Sequence, residues 1–338
     1  MKVTIVLALL CAGAHAATEL TATPFLGATE SKFGPTIEGA AVDKAGNIYA
    51  VDFDNNIATA GSVTGPQKQL FKAPDAEALI NGIRFAVDKS GAEEAYVVDA
   101  KLHQVYRLSG QRGADGTFAN SGVFCKDSTM LQPNDIAIAP STGRIFLSGM
   151  NYTADSVIGN GDLWTCGADG VAKRLGQFYR TNGIEVSPDE KTLYLSEAEN
   201  KKGAVTMNRV LAFDLDAATG ETKNKRVFVD FGELDKSAAT DIDGMRTDVS
   251  GNLYVTRNGI GKVSVFDPSG KLTATISTPS IDSITNLEFG GPAGTDLYMV
   301  GKCKDTPAKG CVDVLKGQAV GNALKRLGGG GGSTKCGQ

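Results

Sequence analysis

Histidine is almost missing from this chain. His15 and His103 are the two in 338 residues. A Ser-His-Asp relay needs one histidine and a histidine-built metal site needs two or more, so both chemistries rest on His103 once an N-terminal leader is set aside. His103 stands in KLHQVYRL, which reads as an outer or middle strand, and a packed or surface role is expected for it. Excess charge is missing too: 34 Lys and Arg against 38 Asp and Glu leave a net charge of −4. With no basic cluster and no series of stacking aromatics, nucleic acid and anionic membrane surfaces are excluded as partners. No apolar run beyond the N-terminal one approaches the ~20 residues of a membrane span. No P-loop is present, because neither GNGD at 159–162 nor the glycines at 328–332 lead into Gly-Lys-Ser/Thr. DFDNN at 52–56 starts like an EF-hand but lacks the Gly and terminal Glu, and reads as a turn. Long amphipathic stretches are scarce, which argues against an α/β fold.

What is present begins with Met1-Lys2, an apolar run from Val3 to Gly13 and Ala14-His15-Ala16. Together these read as a secretory signal peptide, residues 1–16. A lipid anchor at Cys11 is the competing reading, disfavoured by the bulk of Leu10. Secretion implies an oxidising compartment, where Cys303 is expected to pair with Cys311 across KDTPAKG and Cys125 with Cys166. Cys336 is left over in a flexible Gly-rich tail, 327–338. Asn151-Tyr152-Thr153 is a glycosylation sequon, which would place that loop on the surface.

Glycine is abundant, with 42 copies, and it punctuates a repeat. The copies are EGAAVDKAGNIYAVD, NGIRFAVDKSGAEEAYVVD, NDIAIAPSTGRIFLSG, NGIEVSPDEKTLYLSE, DGMRTDVSGNLYVTR and NLEFGGPAGTDLYMVG. Each is a polar residue, a short apolar run, a turn and an apolar-aromatic run. Third strands follow, as in HQVYRLSG, GDLWTCG, NRVLAFDLD and GKVSVFDPSG. Three or four short strands per ~45 residues is the size of a propeller blade, so an all-β, six-bladed β-propeller is expected over 17–326. TELTATPF would close the ring by joining the last blade, and ALKRL forms a short helix or a strand. The sole tryptophan, Trp164, is expected to pack within a blade.

The copies open at Glu38, Asn81, Asn134, Asn182, Asp243 and Asn286. In a propeller, equivalent residues of the innermost strands stand at one height around the channel, so these six should ring one mouth. All carry side-chain oxygens. Asn and Asp make turns by themselves, but Glu does so poorly, and six aligned copies favour a ligand ring. Two carboxylates with amides and no thiolate suit a hard divalent cation, calcium first, then magnesium or manganese; zinc prefers nitrogen and sulfur. The segments Met150–Gly161 and Glu197–Asn208 read as long loops over the mouth. Asp52, Asp99 and Glu197, at the ends of second strands, read as solvated turn residues.

NGIEVSPDEKTLYLSE, VLAFDLDAATGE and DIDGMRTDVSGNLYVTRNGIGKVSVFDPSGKL resemble the SMP-30/gluconolactonase/LRE-like propellers, which include diisopropyl-fluorophosphatase-type calcium proteins. The resemblance covers about residues 34–317. It implies a metal held by Glu38, Asn182 and Asp243, with Asn134 as a further ligand or substrate contact. Asn81 and Asn286 would line the mouth. It also implies a hydrolase, a lactonase or esterase acting on a small molecule, with the metal as Lewis acid and Asp243 as base or nucleophile. Gln132 departs from the sugar-lactonase pattern, which carries Arg two residues before the Asn matching Asn134. The scarcity of histidine separates the chain from paraoxonase-like lactonases, and the Glu-Asn-Asp set separates it from strictosidine-synthase-like lyases. A non-catalytic propeller, stabilised by a cation and binding a partner through its loops, is the alternative. A monomer is the default expectation.

Overall fold

The computed structural model describes residues 16–53 and 59–328. The leader cleavage signal, most of DFDNN, and Cys336 with most of the tail lie outside the described residues. Strands dominate, and the two helices among the described residues are short, Phe231–Leu234 and Asn322–Arg326. Six sheets form the blades of a propeller. Blade 1 starts at Ile37–Val42, blade 2 at Ile80–Val87, blade 3 at Gln132–Ala139, blade 4 at Arg180–Val186, blade 5 at Met245–Thr247 and blade 6 at Ile281–Gly290. Those six are the innermost strands, and the strands that follow each in sequence lie progressively outward, with an N-terminal strand added at the outer edge of blades 5 and 6.

In blades 1, 2 and 5 the turn between the first two strands is built by an aspartate. Asp43 Oδ1 accepts from the amides of Ala45 and Asn47, and Asp248 Oδ1 from those of Ser250 and Asn252. A carboxylate that bonds its own backbone two and four residues on makes a turn without help from the core. The apolar-aromatic runs that follow pack between blades, as in the edge-on pairs Tyr254–Phe289 and Phe178–Phe213. Trp164 is buried in blade 3, its Nε1 donating to Asp162 at 2.6 Å.

The N-terminal segment closes the ring in two pieces. Thr23–Leu26 is the outermost strand of blade 6, antiparallel to Gly310–Leu315. Thr18–Thr21 adds a fifth, parallel strand to blade 5. The expected pairs Cys125–Cys166 and Cys303–Cys311 are both formed. ALKRL is helical within Asn322–Arg326, and this helix covers the far end of the channel. Arg326 donates to the carbonyls of Ile138, Val186 and Ser187, and Asn322 to Thr247 Oγ1.

Two sequence expectations are corrected. Residues 197–208 are not a loop: Thr192–Lys201 and Ala204–Asp216 run on as one long hairpin. Asp52, Asp99 and Glu197 are not solvated turn residues but buried clamps. They accept from the backbone leading into the same blade, at Gly34, Leu79 and Tyr179. Those amides precede the first strand and have no ladder partner there, so a buried carboxylate satisfies them.

Candidate functional site

One irregularity recurs in the innermost strands. Each carries one residue more than its neighbour strand between the pairs Glu38/Ala40, Ile80/Ile83, Pro133/Ile136, Thr181/Ile184 and Ile284/Asn286. Blade 5 shows the same excess between the Asp241–Asn258 bridge and the Met245–Val255 pair. A bulge of this kind re-aims a side chain, and the repeated polar residue sits at or beside it in every blade. Hydroxyls on the second strands hold the bulges: Ser196 Oγ accepts from the Asn182 amide at 3.1 Å and Thr256 Oγ1 from that of Asp243 at 3.0 Å.

Close blade contact needs glycine after the polar residue. A β-carbon on Gly39 would stand 2.5 Å from the carbonyl oxygen of Asn81, and one on Gly82 2.7 Å from that of Asn134. Such contacts join blades 1 to 2, 2 to 3, 4 to 5 and 5 to 6, where Gly39, Gly82, Gly183 and Gly244 follow the polar residue.

A cavity of about 290 Å³ opens at this mouth, and Glu38, Asn81, Asn134, Asn182 and Asp243 are among its walls. Asn286 is not one of them. Its Oδ1 accepts from the amide of Leu287 at 3.0 Å, and its amide group packs where a β-carbon of Gly244 would lie. Other walls include Met150, Tyr152, Arg180 and Asp241. Sequence reasoning missed Arg180 and Asp241, although a signal existed. Residues two positions before a ring member share its side of an extended strand, which picks out Gln132, Arg180 and Asp241. Arg180 is buried, stacks on Tyr152 and donates to Asp241 at 2.6 Å.

His103 is corrected as well. It lies in the turn before Gln104–Arg112 with a positive φ, not in a strand, and lines a second cavity beside the mouth.

The electrostatics are uneven. Glu38 and Asp243 form no ion pair among the described residues. Burial pushes the Glu38 carboxyl well above its ordinary value, and the charges of Asp243 and Asp135 push it further. Asp243 is pushed up to about 7, chiefly by burial. Amide hydrogen bonds from Asn258, at 2.9 Å, and from Asn182 oppose that shift. Having given its NH₂ to Asp243, Asn182 keeps an Oδ1 that is buried with no donor among the described residues. A buried acceptor without a partner costs about 1–3 kcal/mol. Two uncompensated carboxylates and an orphan amide oxygen form a donor set that a hard divalent cation fits.

Further down the channel is a charged belt that sequence reasoning also missed. Arg84, Asp135, Glu185, Arg246 and Glu288 are all buried. Arg246 Nε lies 3.0 Å from Glu288, and Arg84 Nη1 lies 3.5 Å from Asp135.

A six-bladed propeller with an oxygen-rich mouth on its innermost strands is the class that fold and site define. The model of the SMP-30/Gluconolactonase/LRE-like region matches residues 36–301, and the chain belongs to that family. Regucalcin of Xenopus laevis is 33% identical over 175 residues, which is 50% of this chain and 54% of that protein. The chain thus spans about half the length of the curated relatives it matches. Among solved structures, a calcium-binding protein, regucalcin, from Agrobacterium tumefaciens superposes with a TM-score of 0.70. It is 19% identical, and the match covers 90% of this chain and 97% of that one. A gluconolactonase from Xanthomonas campestris gives a TM-score of 0.61 at 22% identity, covering 87% and 94%. At such identities the structures establish the shared fold.

Proposed function

We propose that the protein is a divalent-metal-dependent hydrolase of small lactones or related esters, exported from the cell by its N-terminal leader. The observation that carries this is the pair of buried, uncompensated carboxylates, Glu38 and Asp243, beside the orphan Oδ1 of Asn182. Glu38, Asn182 and Asp243 would hold the ion, with Asn134 as a fourth oxygen or a substrate contact. Calcium suits these donors first, and the Agrobacterium relative is described as calcium-binding. The bound ion supplies Lewis-acid polarisation of an ester carbonyl.

The chain's own residues do the rest. Asp243, steadied by Asn258 on Oδ2, accepts the proton of an attacking water. The water oxygen bonds to the carbonyl carbon, the ring C–O bond breaks, and the released alkoxide takes up a proton to give a hydroxy acid. Asn81 and Asn134 offer amide groups to orient the ring. Tyr152 and Met150 narrow access from one side. The leader and two disulfides support export, and a monomer is assumed.

Elemental analysis and calcium calorimetry on wild type and Glu38→Gln, followed by a lactone screen, test the proposal. One tightly held ion, weakened in the variant, with lactone turnover abolished by chelator, is the expected result. No ion and no heat with calcium, magnesium, manganese or zinc would overturn it, and a ligand-binding propeller would take its place.

A further inference from the structure

The mouth cavity does not end at the channel. A second cavity of about 460 Å³ lies beside it, over blades 1 to 3, and both are walled by Phe53, Ala100 and Gln132. Leu79 is a further wall of the second cavity, with Lys101 and His103 at its rim. The mouth alone is just below the ~300–1,000 Å³ of an ordinary small-molecule site, and the two spaces joined fall well within it.

The two sides of the mouth differ in kind. Over blades 4 and 5 the wall is charged and polar, with Arg180 donating to Asp241 at 2.6 Å and to Asn200 at 3.2 Å. Over blades 1 to 3 the walls shared with the second cavity are an aromatic ring, a methyl group and a neutral amide, and Leu79 continues the apolar surface. A polyhydroxylated ring wants many hydrogen-bonding partners, and beyond the mouth amides the second cavity offers few. Lys101, the one full charge at the rim, is paired with Glu77.

We infer that the second cavity receives an apolar arm of the substrate, so that the preferred substrate is a lactone or cyclic ester bearing an alkyl or aryl chain rather than a sugar lactone. The inference rests on the lactonase reading for the ring. The chain would run from the metal-side mouth past Gln132 and Phe53 onto Leu79 and Ala100. Each methylene buried there raises affinity about four-fold.

The test separates the arm from the chemistry. Binding of two non-hydrolysable ring ketones, cyclopentanone and 2-heptylcyclopentanone, is measured by calorimetry on the full-length protein. Hydrolysis of δ-valerolactone, δ-dodecalactone and gluconolactone is measured alongside. The heptyl ketone is expected to bind at least ten-fold tighter than the bare ring, and δ-dodecalactone to show the highest kcat/KM of the three lactones. Leu79→Asp, which sets a carboxylate in the arm's path, should cut the heptyl-to-bare ratio at least ten-fold. Gln132→Trp, a surface change that blocks the passage and does not threaten the fold, should do the same. Equal affinity for the two ketones, or a heptyl preference that survives both variants, overturns the inference. A preference for gluconolactone also overturns it. Tight heptyl binding with no turnover of any lactone would leave the arm site standing and sink the hydrolase reading instead.

Discussion

The carbonyl oxygen of Asp243 lies 2.1 Å from the point where a β-carbon on Gly183 would sit. The residue after one candidate ligand, Asn182, is therefore pressed against the backbone of the next, Asp243. No side chain fits in that space. Gly183→Ala must push blades 4 and 5 apart at the mouth, and overpacking of this kind costs about 1–3 kcal/mol. Urea unfolding should show that loss. Calcium affinity should fall as well, because the displaced atoms belong to the ring. A variant with wild-type stability and affinity would mean the blades do not meet this closely.

Asp243→Asn separates charge from shape. The amide fills the same volume, and Asn258 can still bond the retained oxygen. The circular dichroism spectrum is expected to be unchanged, lactone turnover to fall about 10²–10⁴-fold, and calcium to bind more weakly. Full turnover on every accepted substrate would remove Asp243 from the base role.

The parts legible in the sequence were those in which each blade repeats the same local physics. Asp-x-x-Gly turns close the first hairpins of blades 1, 2 and 5 by bonding their own backbone, and the apolar runs on either side of a turn recur six times, which announced six blades. The repeated polar residue, followed by Gly-Ile or Gly-Met in blades 2, 4 and 5, marked the bulge on each innermost strand, and five of its six copies reach one cavity. The missed parts depend on contacts between blades. Arg84, Glu185 and Arg246 stand three residues after a ring member, in NGIR, NGIE and DGMR, but only the closed ring brings them into one charged belt. His103 was misplaced because KLHQVYRL continues smoothly into a strand, while the chain turns at His103 itself with a φ of 55°. Asn286 has the right residue type at the right position, yet it spends its amide oxygen on Leu287.

The two disulfides should differ in worth. Cys125–Cys166 spans 41 residues and ties blade 2 to blade 3, whereas Cys303–Cys311 spans 8 within one hairpin of blade 6. Loop-closure entropy scales with the logarithm of that span, giving about 4 kcal/mol against about 2.5 kcal/mol. Replacing each pair by alanines and comparing denaturant midpoints should show the larger loss for Cys125–Cys166. The opposite order would mean that the ends of blades 2 and 3 are held together well enough without the bond.

The C-terminal helix is an element on which both stability and the channel depend. Leu324 is buried at 2% exposure, and Arg326 supplies three backbone carbonyls with donors. Leu324→Ala should cost about 2–4 kcal/mol, read from the denaturant midpoint. A loss below 0.5 kcal/mol would show that the helix lies loosely on the channel end.

Removing calcium tests the ring against its structural alternative, in which the six residues merely shape the bulges. A ligand that binds only the folded state, present at 100 times its Kd, adds about 2.7 kcal/mol. For a chain of this size that is roughly 5 °C in Tm. Wild-type protein should therefore melt about 5 °C lower in chelator than in excess calcium. Glu38→Gln should lose that response. In chelator, the variant should melt at or above wild type, because it removes one of two buried carboxylates that repel each other without a counter-ion. If Glu38 acts only as a bulge former, calcium leaves both melting points unmoved and the variant is equal to or less stable than wild type in every buffer. The two readings differ in whether calcium moves the wild-type melting point, so melting curves in chelator and in excess calcium separate them.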